Sequence, residues 1–182
     1  MSDLRADPCP DARLDALVAA VAAGADVAEV DALLAAYPGD ARLHFLRGSL
    51  LAGGRRYPEA RAAVSRAVAL APGFDIARFQ LGFLEFTSGE PELARRTWRP
   101  LQDLEEAHPL SLFARGLLRL VDEDVTGAIA LLRRGMAANT VNPPLNQDMA
   151  TLLAGLEPAA AAAEPVSETE LLLRQFGGTV RH

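Results

Sequence analysis

The side chains that most often carry chemistry are scarce in this chain and widely separated. His44, His108 and His182 stand in different segments, and none has a carboxylate or cysteine at the spacing a metal site needs. Cys9, flanked by Pro8 and Pro10, is the single cysteine, which excludes an intrachain disulfide and a thiolate metal site. Every one of the 18 basic residues is arginine. Schiff-base formation, a phosphate-loop lysine and a lysine nucleophile are thereby closed off. No serine sits in a nucleophile-elbow context, and no glycine-rich loop could cradle a phosphate. Asp122, Glu123 and Asp124 adjoin, but a calcium loop alternates its oxygen ligands over about a dozen residues around a turn glycine. That stretch reads as a solvated turn. These absences predict a protein that is not an enzyme and holds no cofactor and no metal.

The remaining polar candidates have structural readings. His44 reads as a helix-surface residue, and His108, following Glu105 and Glu106, as a cap where a cation suits the carbonyls of a helix end. Arginines cluster at Arg61 and Arg66, at Arg95, Arg96 and Arg99, and at Arg133 and Arg134. They form either a stripe for an acidic partner or a solvated face paired with neighbours such as Glu59 and Glu92. A net charge of -6 argues against nucleic acid as that partner. Half of the residues are hydrophobic, enough for a real core. Neither a leader-like segment nor a membrane-spanning run is apparent, so the expectation is a cytoplasmic protein without membrane insertion.

The apolar residues make a stronger pattern. Ile76, Phe79, Phe83 and Phe86 follow one another at spacings that place them on one stripe of a helix, and Leu110, Phe113, Leu117 and Leu120 repeat it. Arg42, Phe45, Ser49 and Ala52 give a more polar version. Such stripes serve equally as the core of a helical hairpin or as the floor of a groove.

The elements that carry these stripes recur at 34 residues: Phe45, Phe79 and Phe113; Gly48, Gly82 and Gly116; Ala60, Ala94 and Ala128. A fixed period of this size marks stacked supersecondary units. The dipeptide Pro38-Gly39 returns as Pro72-Gly73 and brackets one unit. Periodicity and breakers predict helix pairs at 41–53 and 58–70, 75–87 and 91–105, and 109–120 and 125–138, with connections short enough to force antiparallel neighbours. A glycine inside a helix costs about 1 kcal/mol against alanine. Its threefold return implies that the second helix of each hairpin descends on the first at that point.

This pattern resembles the tetratricopeptide repeat family, whose unit has a glycine in its first helix, an alanine early in its second, a further small residue and a closing proline. Gly48, Ala60, Ala67 and Pro72 match in one repeat, Gly82, Ala94 and Trp98 in the next, and Gly116, Ala128 and Gly135 in the third. The family's aromatic four residues before the glycine is replaced by His44, Arg78 and Leu112. The resemblance implies an all-α solenoid of helical hairpins wound as a right-handed superhelix. Its parts would be a loose arm at 1–10, a degenerate hairpin at 11–37, repeats at 41–74, 75–108 and 109–142, and a capping helix at 144–156. An alanine- and proline-rich linker at 157–166 would lead to a short amphipathic helix within 167–182.

In function, the resemblance implies a non-catalytic adaptor or scaffold that takes an amphipathic or hydrophobic protein segment in a concave groove. Its floor would be Phe45, Ile76, Phe79, Phe83, Phe86, Leu110, Phe113, Leu117 and Leu120. The groove's occupant would be a partner protein, a second copy of the chain as a homodimer, or the chain's own Leu171, Leu172, Leu173 and Phe176 swinging back on the linker. Two alternatives accompany this reading. One is a dedicated chaperone for a secreted or assembling client, similar to the small acidic repeat chaperones of bacterial secretion systems. The other is a self-assembling structural protein.

Overall fold

The computed structural model describes residues 8–163, and the side chains of 8–158. Among these residues the structure is all-helical, with nine α-helices and no strand. Residues 1–7 of the expected arm, and the tail with Leu171, Leu172, Leu173 and Phe176, lie outside the described residues. The chain divides into two compact units between Glu106 and Ala107.

The first unit holds α1 (Asp11–Ala22), α2 (Val27–Ala36), α3 (Ala41–Gly53), α4 (Tyr57–Leu70), α5 (Asp75–Thr87) and α6 (Pro91–Trp98), which runs on into a 3-10 helix at Arg99–Asp103. The second holds α7 (Pro109–Val121), α8 (Val125–Ala138) and α9 (Pro143–Ala163). Three helices begin 34 residues apart, at Ala41, Asp75 and Pro109, and so do their partners, at Tyr57, Pro91 and Val125. α3 packs on α4, α5 on α6 and α7 on α8. Each pair is the antiparallel hairpin that its short connection dictates.

The recurring glycine is where each hairpin closes. A Cβ on Gly48 would meet Val64, one on Gly82 would meet the Trp98 indole, and one on Gly116 would lie 3.1 Å from Leu132. Those knobs are themselves 34 apart, and Val30 continues their series backwards into α2. All four are fully buried. Ala60, Ala94 and Ala128, also fully buried, keep the approach close. Trp98 therefore shares its place with Val64 and Leu132. The small-residue place of Ala67 and Gly135 is held in this hairpin by Leu101, in the 3-10 helix.

The turns recur as well. Arg55, Gly89 and Glu123 each occupy the left-handed region, at φ 59°, 80° and 59°. The next residue's N–H reaches back to a carbonyl of the preceding helix: Arg56 to Leu51 at 2.8 Å, Glu90 to Glu85 at 3.0 Å, and Asp124 to Arg119 at 2.9 Å. This six-residue closure is the Schellman arrangement, which satisfies carbonyls left open at a helix end. Asp124 then caps α8 through Gly127 N–H at 2.8 Å and pairs with Arg119 at 2.9 Å, so the acidic turn is a helix start as well as a solvated loop.

Several boundaries differ from expectation, each for a local reason. α6 ends at Trp98 instead of continuing to 105 because Pro100 lacks an N–H and crowds the carbonyl of the preceding turn. α9 continues past 156 through Pro158 to Ala163, carried by an alanine run of high helix propensity, so 157–163 is helix and not linker. Asp11 is the first residue of α1, and Pro10 precedes it. Asp11 binds Arg42 at 2.6 Å.

The end of the expected loose arm is also held. Cys9 is 1% exposed, and its N–H donates to Asp40 Oδ2 at 2.8 Å, while its carbonyl accepts from Arg42 at 2.7 Å. Asp40 in turn caps α3 through Arg42 N–H. Behind this clasp, Cys9, Leu17, Val30 and Leu43 form one core cluster, and Leu51, Val64, Ala67 and Leu81 belong to a second. In the other unit, Asn139 joins α8 to α9. Its amide donates to Asn142 O and Asn146 Oδ1, each at 2.8 Å.

Candidate binding surface

Placement of the apolar stripe follows from which side of each first helix faces its partner. In α5, Phe79 is 1% exposed and stacks on Trp98 with ring centroids 5.8 Å apart. The Trp98 indole N–H donates to the Phe79 carbonyl at 3.0 Å, so ring and backbone of this residue are both committed to the hairpin. In α7, Phe113 is fully buried with its ring over Gly135 of α8, where a Cβ would come within 2.5 Å. Leu110 and Leu117 are buried too. These positions build the hairpins.

Phe45, Ile76, Phe83, Phe86 and Leu120 remain half-buried. Phe45 tilts against Phe74 at 5.1 Å, Phe83 lies nearly parallel to Phe79 at 6.2 Å, and Phe86 packs on Trp98 at 6.0 Å. Within the first unit, α3 and α5 are joined by Ser49, whose hydroxyl donates to Gln80 Oε1 at 3.0 Å. That contact brings two first helices side by side and puts the partly open rings of Phe45 and Phe83 on neighbouring helices. A surface of this kind offers apolar area edged by neutral hydrogen-bonding groups.

The other candidates resolve into fold-building roles. His44 Nε2 donates to Pro38 O at 2.9 Å, and 34 residues on Arg78 donates to Pro72 O at 2.6 Å. Two unlike side chains thus close the same turn. His108 caps the start of α7, its Nδ1 accepting from Leu110 N–H at 3.3 Å, and so serves N–H groups, not the carbonyls of a helix end. Of the arginine ridge, Arg61 binds Glu90 at 2.5 Å, Arg95 lies 3.7 Å from Glu92, and Arg133 binds Glu157 at 2.7 Å. Glu59, expected among those partners, pairs with Arg56 at 2.5 Å.

One residue of consequence is not singled out by the sequence pattern. Glu85, on α5, is 4% exposed, and its Oε2 has no hydrogen-bond partner. The 34-residue register could have found it, because it stands where the preceding repeat has the buried Leu51. Among the described residues, no group of three or more His, Cys, Asp or Glu could hold a metal ion, and no helix is long and apolar enough to cross a membrane. No protein-family model matches the chain, and no curated protein matches it.

Proposed function

We propose that the chain is a helical-repeat protein of the tetratricopeptide type, without catalytic activity, that takes an amphipathic or hydrophobic segment of another protein. The observation that carries the reading is the row of half-buried apolar side chains on adjacent first helices: Phe45 on α3, with Ile76 and Phe83 on α5. Repeating helix starts, glycine-centred hairpins and a repeated turn closure support the repeat assignment. An amphipathic helix would lay its apolar face on such a row, reading it through side chains spaced at one helical turn.

The test is capture from the native host by the full chain, identified by mass spectrometry, with an Ile76→Ser/Phe83→Ser variant beside it. A partner held by the wild type and lost by the variant, with helicity equal in both, is the expected result. Equal retention by both would remove this surface from the reading. Light scattering over a concentration series distinguishes a second copy of the chain as the occupant.

A further inference from the structure

Buried acids without cations are uncommon because taking a carboxylate out of water costs more than most contacts return. Glu85 is such an acid. It lies in the last turns of α5, 4% exposed, with Oε2 unpartnered. Its place in the repeat belongs to Leu51 in the preceding hairpin, where an apolar side chain at 1% exposure fills the same position. The same place in the following hairpin is Arg119, which is exposed, so Glu85 alone of the three puts an ionisable group under cover.

The surroundings explain how it is tolerated. From α6, Thr97 hydrogen-bonds the carboxyl group; the charged groups facing it are Arg61 from α4 and Glu90 from the turn that opens α6. Arg61 could have neutralised Glu85, but both of its terminal nitrogens are engaged by the Glu90 carboxylate, at 2.5 and 3.0 Å. Glu90 therefore draws away the cation and adds a like charge. Burial, with Glu90 adding to it, pushes the Glu85 carboxyl above the usual carboxylate range, against the opposing effects of Thr97 and Arg61.

We propose that the α5–α6 hairpin is a pH-responsive element, closed while the Glu85 carboxyl is protonated and loosened around Trp98 when it ionises. The sign follows from linkage. A carboxyl that holds its proton more tightly folded than unfolded contributes its full stability below the ordinary glutamate range, and loses it as pH rises through the folded value. Ionisation would draw water to Glu85. The first packing to yield is that between α5 and α6, where Thr97 adjoins Trp98, and Trp98 carries Phe79 and Phe86. This inference stands apart from the binding reading.

Trp98 is the single tryptophan, so its emission reports this hairpin alone. The experiment is acrylamide quenching of Trp98 in the full chain from about pH 5 to about pH 8, for the wild type and Glu85→Gln. Quenching should rise severalfold with pH in the wild type and stay flat in the variant, whose amide keeps the shape and cannot ionise. Glu85→Leu, which copies the residue type that the preceding hairpin has at Leu51, should likewise be flat. A flat wild-type profile, or the same rise in wild type and variants, would overturn the proposal. So would failure of both variants to fold, since a neutral carboxyl should be replaceable by a neutral side chain.

Discussion

Gly82 of α5 lies against the indole of Trp98 on α6, so closely that a methyl group on Gly82 would overlap the ring. The equivalent pair in the second unit is looser, with Leu132 atoms 3.1 Å and the Ala128 carbonyl 3.3 Å from a Cβ built on Gly116. An indole is rigid, and this one is fixed by its bond to Phe79 O. A leucine can turn. Gly82→Ala should therefore cost about 1–3 kcal/mol from overpacking, which outweighs the ~1 kcal/mol that alanine gains in a helix interior. Gly116→Ala should fall near neutral as those terms cancel. Urea unfolding followed by circular dichroism measures both; equal costs would show that the knob's stiffness is irrelevant.

Phe79 and Phe83 share one stripe and separate in role. Removing the Phe79 ring empties a site enclosed by Trp98 and Phe83, and Phe79→Ala should cost about 3–5 kcal/mol. Phe83, half-buried, should accept serine with helicity intact and a much smaller loss of stability. Thermal melts of the two variants make the comparison. Comparable losses would mean that Phe83 is core, and the proposed surface would shrink to Phe45 and Ile76.

Sequence alone reached the helix pairs because their determinants are local. Gly48, Gly82 and Gly116 mark contacts by their own absence of a side chain, and Pro58, Pro91 and Pro109 mark helix starts by their missing N–H. The knobs were harder to see. Val64, Trp98 and Leu132 share no chemistry, only a distance from the glycine, and matching Trp98 with Ala67 and Gly135 placed it one turn away from its register, at the position where Leu101 stands. Whether a stripe is core or surface was not legible at all. Phe79 and Phe83 have the same type and lie on the same helix face, and only the placement of α6 decides which one is covered. The clasp at Asp40 was hidden for the same reason, since its partner Cys9 is 31 residues away.

That clasp predicts an acid response opposite in sign to the one at Glu85. Burial by itself pushes the Asp40 carboxyl up, but hydrogen bonds from the Arg42 guanidinium and from the N–H groups of Arg42 and Cys9, with the charge of Arg42, hold it below its ordinary value of 3.8. A carboxyl depressed in the folded state contributes stability above its unfolded value and loses it as pH falls through the folded one. Asp40→Asn should cost about 1–3 kcal/mol near neutrality, since a charged acceptor for buried donors is gone. It should also flatten the decline of stability below about pH 4. Acid titration of the melting temperature reads both effects. An unchanged acid limb in the variant would assign that limb to other carboxylates.

The left-handed residues of the three turns give a prediction that can be checked by exchanging their identities. Arg55 and Glu123 hold φ 59° with a Cβ, whereas Gly89 does the same work without one. An L-residue with a side chain pays roughly 1–2 kcal/mol for that conformation, and glycine avoids the clash. Glu123→Gly should thus stabilise the α7–α8 hairpin by up to about 1 kcal/mol, the rest being lost to glycine's greater freedom when unfolded. Gly89→Ala should destabilise the α5–α6 hairpin by a similar amount, although nothing lies within 4 Å of the added methyl. That last condition makes the test sharp, because no steric contact with a neighbour can be blamed for a loss. If Gly89→Ala leaves the melting temperature unchanged, the Glu90-to-Glu85 closure does not depend on the left-handed residue, and the shared geometry of the turns has another cause.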